Sequence, residues 1–138
     1  MKTKVVLDTN CLLASLSKRG NYYSVWKGLQ EGKYVLCVST EILFEYQEII
    51  AQKTNEYVAT NVVQMLLNND NVVCVEPSFH MGLIEADKDD NKFVDCAIAA
   101  GAFFIVSEDK HYEVLDKIPF PKVDVVKLQE FVEILSRM

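Results

Sequence analysis

The chain has 138 residues, half of them apolar, with 20 acidic residues against 14 basic ones, a net charge of −6 and a pI near 4.9. A chain of this length is expected to form one domain, 1–138, burying about two-thirds of its unfolded surface. The acidic balance excludes a general polyanion binder, whose phosphate contacts need Lys and Arg in excess, so any nucleic-acid binding has to be local.

In chain order, Val5 to Leu7 predicts a strand, Leu12 to Leu29 one or two helices, Tyr34 to Val38 a strand, and Glu41 to Gln52 and Glu56 to Leu67 two helices. Val72 to Val75 then predicts a strand, Lys92 to Ala102 a helix, Phe103 to Val106 and Val123 to Val126 two strands, and Leu128 to Leu135 a last helix. The strands are nearly continuous in apolarity rather than alternating, as in strands covered on both faces. Strands alternating with helices imply right-handed crossovers and a parallel sheet with helices on both sides. Gly20-Asn21, Gly32-Lys33, Asn68-Asn69-Asp70-Asn71 and Pro119-Phe120-Pro121 punctuate these elements, and none is long enough to link two domains. In an open sheet of this kind, ligands bind beyond the carboxyl ends of the strands, near the point where strand order reverses.

The apolar run after Met1-Lys2-Thr3-Lys4 breaks at Asp8, too early for a secretory segment. No stretch reaches the roughly 18 uncharged residues of a membrane span. A cytoplasmic protein without membrane contact is expected. Cys11, Cys37, Cys74 and Cys96 show no C-x-x-C spacing and sit among apolar neighbours, as buried free thiols do. Only His80 and His111 would complete a zinc site with them.

Three acids stand against apolar runs: Asp8 after Val5-Val6-Leu7, Asp95 within Phe93 to Ala100, and Asp109 after Phe103 to Val106. An ionised carboxylate in such surroundings has to be paired, hydrogen-bonded or metal-bound. Asp8-Thr9-Asn10 leads from strand to helix, so Asp8 also suits a helix N-cap. On the helix from Glu41 to Gln52, Glu45 borders the arc of Ile42, Leu43, Tyr46, Ile49 and Ile50. Glu41 reads as a first-turn acid after Ser39 or Thr40, and Glu48 as surface. Asp95 lies on a helix apolar almost all round, hence buried, and the preceding Asp87, Asp89 and Asp90 add negative charge that a cation would make tolerable.

Asp87-Lys88-Asp89-Asp90-Asn91-Lys92 fails as a calcium loop, because Lys92 stands where the turn needs Gly and Ile98 where a bidentate Glu is needed. It reads instead as a solvated acidic loop from which Asp90 reaches the site. Ser107-Glu108-Asp109 suits a turn or cap in which Ser107 orients a carboxylate or a water, with Lys110 placed to meet a phosphate.

Taken together, Val5-Val6-Leu7-Asp8-Thr9-Asn10, Ser39-Thr40-Glu41-Ile42-Leu43-Phe44-Glu45-Tyr46, Asp87 to Ala99 and Ile105-Val106-Ser107-Glu108-Asp109-Lys110 resemble, in order and over nearly the whole chain, the PIN-domain nucleases, especially the bacterial toxin components of toxin–antitoxin systems. The resemblance implies a three-layer α/β/α sandwich with a central, mostly parallel sheet. It also implies four acids, Asp8, Glu45, Asp95 and Asp109, that gather at its carboxyl edge and bind one or two Mg²⁺ or Mn²⁺ ions, with Asn10, Ser107 and Asp90 in support. Such a protein would be an endoribonuclease. The ions activate a water and stabilise the leaving 3′ oxygen, giving a 5′-phosphate and a 3′-hydroxyl. Lys18, Arg19, Lys92 and Lys110 would line the approach of single-stranded or structured RNA. A cognate antitoxin is the implied partner, and a homodimer would use Tyr22, Tyr23, Trp26 or the last helix, each of which also suits core packing.

Two rivals place the same residues differently. A phosphoacceptor domain also ends its first strand in Asp, but a phosphatase of that class needs a second Asp where this chain has Asn10, and a receiver needs paired acids where only Asp8 stands. An inert PIN-fold interaction module would have no reason to keep four costly carboxylates together.

Overall fold

The computed structural model describes residues 2–84 and 88–138, so Asp87 of the acidic loop lies outside the described residues. Five strands, β1 (Lys4–Leu7), β2 (Val35–Val38), β3 (Val72–Cys74), β4 (Phe104–Val106) and β5 (Val125–Val126), form one parallel sheet in the order β3-β2-β1-β4-β5. The chain moves outward from β1 to β3 and then returns to the other flank of β1, so strand order reverses between β1 and β4. Their register pairs Leu7 with Val106.

Successive side chains of a strand face opposite sides of the sheet. Val5, Val6 and Leu7 are all buried, as are Leu36, Cys37 and Val38, so β1 and β2 are covered on both faces. The helices therefore form two layers around the sheet, and α/β/α describes the molecule. The edge departs from expectation: Val73 and Cys74 of β3 are exposed, so Cys74 is not the buried thiol its neighbours suggested. An apolar run records β-propensity but not whether the strand lies at an edge. Burial pushes the Cys11 and Cys96 thiols up to about 12, consistent with inert structural cysteines.

The predicted helical stretch after β1 divides into α1 (Thr9–Ser15) and α2 (Tyr23–Gln30) around Gly20. Helix α3 (Thr40–Lys53) starts from Ser39, whose side chain accepts from the Ile42 N–H, and α4 (Glu56–Leu67) starts from Asn55, which accepts from the Val58 N–H at 2.9 Å. Helix α5 (Asn91–Ala100) crosses β1, β2 and β4 and ends at Gly101, whose φ of 65° is the left-handed conformation that glycine adopts at no steric cost. Helix α6 (Leu128–Ser136) packs on α2 and sends Phe131 edge-on against Tyr34 and Phe104, at ring centroids 5.1 and 5.6 Å away.

Short 3₁₀ segments at Lys88–Asp90 and Lys110–Lys117 were not anticipated, because a tight turn of this kind carries no sustained 3.6-residue stripe. Trp26, Phe131 and Leu135 are buried and Tyr22 and Tyr23 pack against the same core. These residues contribute to the packing of the fold. No helix among the described residues is long and apolar enough to cross a membrane.

Candidate active site

The reversal between β1 and β4 sets Asp8 beside Ser107, each one residue past the end of its strand. Asp8 does two jobs at once. It N-caps α1 by accepting the Thr9 N–H at Oδ1 (2.8 Å), and its Oδ2 accepts the Ser107 hydroxyl at 2.8 Å. Ser107 Oγ in turn accepts the Asp109 N–H at 3.0 Å. The serine thus orients one carboxylate and the backbone that carries another.

Glu45 arrives from α3. That helix is pinned at the end of β1 by the buried Tyr46, whose hydroxyl donates to the Leu7 carbonyl at 2.6 Å. The neighbouring Glu45 therefore sits over α1, where its Oε2 accepts a short hydrogen bond from the Thr9 hydroxyl. Its Oε1 accepts from Lys92 Nζ at 2.7 Å. Burial works to lower the Lys92 pKa, but the Glu45 carboxylate, with Asp89 and Glu41 behind it, outweighs burial and raises it.

On the far side, Asp109 caps the 3₁₀ segment by accepting the His111 N–H at 2.9 Å, and His111 Nδ1 stands 3.3 Å from Asp109 Oδ1 and 3.4 Å from Asp90 Oδ2. Asp90 itself is buried at the start of α5, and its carbonyl accepts from the buried Tyr112 hydroxyl at 3.4 Å. A continuous array of polar contacts therefore runs from Lys92 through Glu45, Thr9, Asp8, Ser107, Asp109 and His111 to Asp90.

Charge is concentrated there. Burial raises the Asp8 carboxyl above its ordinary value; the Ser107 and Thr9 hydrogen bonds oppose this, and the negative charges of Glu45 and Asp109 add to it. The Tyr112 phenol is raised by burial and then by Asp8, Asp90, Asp109 and Glu45, so all four acids act on one point. The site is not sealed: the Asp109 and Glu45 side chains keep 35% and 22% of their surface exposed, which leaves oxygen lone pairs accessible.

Asp95 is placed elsewhere. It is buried as predicted, but its Oδ1 accepts the Met81 N–H at 3.0 Å and its Oδ2 stands 3.3 Å from His80 Nδ1. It ties the segment before α5 onto that helix, beside a hollow of about 350 Å³ bordered by Val75, Phe79, Met81 and Ile98. Asp95 also lines, with Glu41, Asp89 and Lys92, a hollow of about 300 Å³, but no hydrogen bond among the described residues joins it to Asp8, Glu45 or Asp109, whereas Asp90 meets Asp109 through His111.

Asn10 and Lys110 are exposed next to Asp8 and Asp109, while Lys18 and Arg19 are exposed beyond α1. Glu108 turns away, accepting the Leu128 N–H at the start of α6 at 3.4 Å. Thr9, His111 and Tyr112 take part without having been singled out for this site. Thr9 adjoins the first acid and His111 follows the last by two residues, but a bond from Thr9 to Glu45, 36 positions on, leaves no mark in local sequence.

The family model for the PIN domain matches residues 4–111, so the chain belongs to the PIN-domain family. Among solved structures it is similar to VapBC2 from Rickettsia felis bound to a DNA fragment from their promoter, with 15% identity and a TM-score of 0.62 over 91% of this chain and 98% of that one. DNA-bound VapBC from Salmonella typhimurium matches with 16% identity and a TM-score of 0.59 over the same shares of the two chains. The PIN domain endonuclease Utp24 matches with 14% identity and a TM-score of 0.54, covering 90% of this chain and 84% of that one. At these identities the similarity is one of fold. No curated protein gives a significant sequence match.

Proposed function

We propose that this chain is a Mg²⁺- or Mn²⁺-dependent endoribonuclease, the toxin member of a toxin–antitoxin pair, whose working acids are Asp8, Glu45, Asp90 and Asp109. The observation that carries this reading is the array joining these carboxylates at the strand-order reversal, where ligands of open α/β sheets bind. Asp90 takes the place that the sequence pattern offered to Asp95. The donor set fits the ion: Mg²⁺ and Mn²⁺ prefer oxygen ligands, and the Asp8 carboxyl, raised by burial and by the charges of Glu45 and Asp109, is relieved by a divalent cation. When bound, such an ion supplies an activated water and charge stabilisation for in-line displacement at phosphorus.

The chain's own groups do the positioning. Ser107 and Thr9 hold the two oxygens of Asp8 in fixed directions, and Thr9 also holds Glu45. Lys92 stays protonated beside Glu45, placed to accompany a backbone phosphate toward the acids, and Lys110 offers a second cation beside Asp109. Tyr112 remains a neutral phenol and sets the start of α5 through the Asp90 carbonyl. The antitoxin partner is supported by the VapBC assemblies among the structural neighbours and by the sequence resemblance.

The test is Mn²⁺-dependent cleavage of single-stranded RNA by the native chain and by Asp8→Asn, Asp90→Asn and Asp95→Asn, with product ends determined. Cleavage to 5′-phosphate ends should fall by about 100-fold or more in the first two variants and persist in the third. Equal rates in all four proteins would identify a contaminant and leave an inert interaction module.

A further inference from the structure

The array described above contains one imidazole. His111 Nδ1 lies 3.3 Å from Asp109 Oδ1 and 3.4 Å from Asp90 Oδ2, and one ligand atom from each of the three residues lies within 4.8 Å of the other two. The ring is held there by its own backbone, since the His111 N–H donates to Asp109 Oδ1. The His111 and Asp109 side chains are 41% and 35% exposed, so the group is reachable from solvent. Ligand atoms in adjacent positions of a six-coordinate ion with bonds near 2.1 Å stand about 3.0 Å apart. The two separations from the imidazole nitrogen come within a few tenths of an ångström of that.

We propose that His111 is a nitrogen ligand of the divalent ion and makes this site select Mn²⁺ over Mg²⁺. The inference rests on the metal-dependent reading above and adds the class of ion. Mg²⁺ is a hard cation that takes oxygen ligands and gives up its waters reluctantly. Imidazole favours the first-row transition ions, whose affinity for mixed nitrogen and oxygen sites rises from Mn²⁺ toward Co²⁺ and Ni²⁺. Asp90 and Asp109 attract either ion by charge; the nitrogen separates them. The competing role for His111 is that of a built-in cation pairing the two carboxylates, and it predicts the opposite response to removal of the ring, because a competitor for the acids would be lost.

The experiment measures Mn²⁺ binding by the loss of free-ion EPR signal, and Mg²⁺ binding by competition, for the full chain and for His111→Ala, His111→Gln and Asp90→Asn. Electron spin-echo modulation on Mn²⁺-loaded protein labelled with ¹⁵N-histidine, native and His80→Ala, reads the nitrogen directly. The proposal expects Mn²⁺ affinity to fall about tenfold or more in both His111 variants, with Mg²⁺ affinity held within about twofold, which also shows that the variants are folded. It further expects a ¹⁵N coupling that survives His80→Ala and disappears without His111. Mn²⁺ binding that depends on Asp90 but shows no ¹⁵N coupling overturns the proposal while leaving the acid site intact. Unchanged or increased Mn²⁺ affinity in the His111 variants overturns it in favour of the built-in cation. A native chain that binds neither ion overturns the metal-dependent reading together with it.

Discussion

Asp8 carries the sharpest conflict between folding and use. Its carboxyl is raised by burial, against two hydrogen bonds that favour the ionised form, with Glu45 and Asp109 pushing the same way as burial. A folded-state pKa above the ordinary 3.8 means that the folded chain still holds a proton where the unfolded chain has released it. Stability therefore falls as pH rises from the unfolded value through the folded one. Asp8→Asn, which keeps the shape and removes the charge, should melt at a higher temperature than the native chain in chelator at pH 7. The advantage should vanish with saturating Mn²⁺. Equal melting temperatures in chelator would mean that the acids do not strain the fold. At this scale much of the candidate site was legible: Asp8 and Asp109 are acids stranded at the ends of apolar runs, and Glu45 borders an apolar arc. Asp95 shows that burial and function give the same signal in sequence. A buried acid satisfied by the Met81 N–H and flanked by His80 reads like one waiting for an ion, and the loop that satisfies it folds back from 14 positions upstream. Asp90 reads as the one member of a solvated acidic run that reaches the site, and the turn into α5 buries it.

The elements bring the acids together, and α3 depends on one contact to do so. The Tyr46 hydroxyl, fully buried, holds α3 to the last carbonyl of β1, with Asp8 following that carbonyl and Glu45 preceding Tyr46 in sequence. Tyr46→Phe leaves that carbonyl without its donor, a loss of about 1–3 kcal/mol for a buried group. Urea denaturation should show this loss, with cleavage falling as Glu45 loses its register over Thr9. An unchanged midpoint would show that α3 is held by apolar packing alone. The opposite effect is available in α2. Gly28 lies inside the helix, and a methyl group there would meet Leu135 and Tyr34 at 3.6 Å, ordinary contact rather than overlap. Gly28→Ala should stabilise the chain by about 0.5–1 kcal/mol, read from the same denaturation curves. Destabilisation would mean that the α2–α6 contact has no slack. The regular elements were readable to within a few residues because apolar runs and 3.6-residue stripes are local properties. The 3₁₀ segment that carries His111 was not readable, because its geometry is set by the Asp109 cap and by Tyr112 reaching Asp90.

For the molecule as a whole, net charge and the proposed function are reconciled by location. A chain with six surplus negative charges is a poor partner for RNA over most of its surface, but here three acids crowd the strand-order reversal with a fourth drawn in from the turn before α5, and Lys92 and Lys110 stand at the rim. Alternating strands and helices were enough to predict a parallel sheet between helix layers. Which strand lies at the edge, and which acid closes the cluster, are decided by strand order, and this has no local counterpart in sequence. The central claim is that Asp8, Glu45, Asp90 and Asp109 hold a divalent ion. A crystal grown or soaked in Mn²⁺ and measured at the manganese edge tests it directly. The account predicts anomalous density between these four carboxylates and none at Asp95; density at Asp95, or none near Asp8 and Asp109 at saturating Mn²⁺, would contradict it.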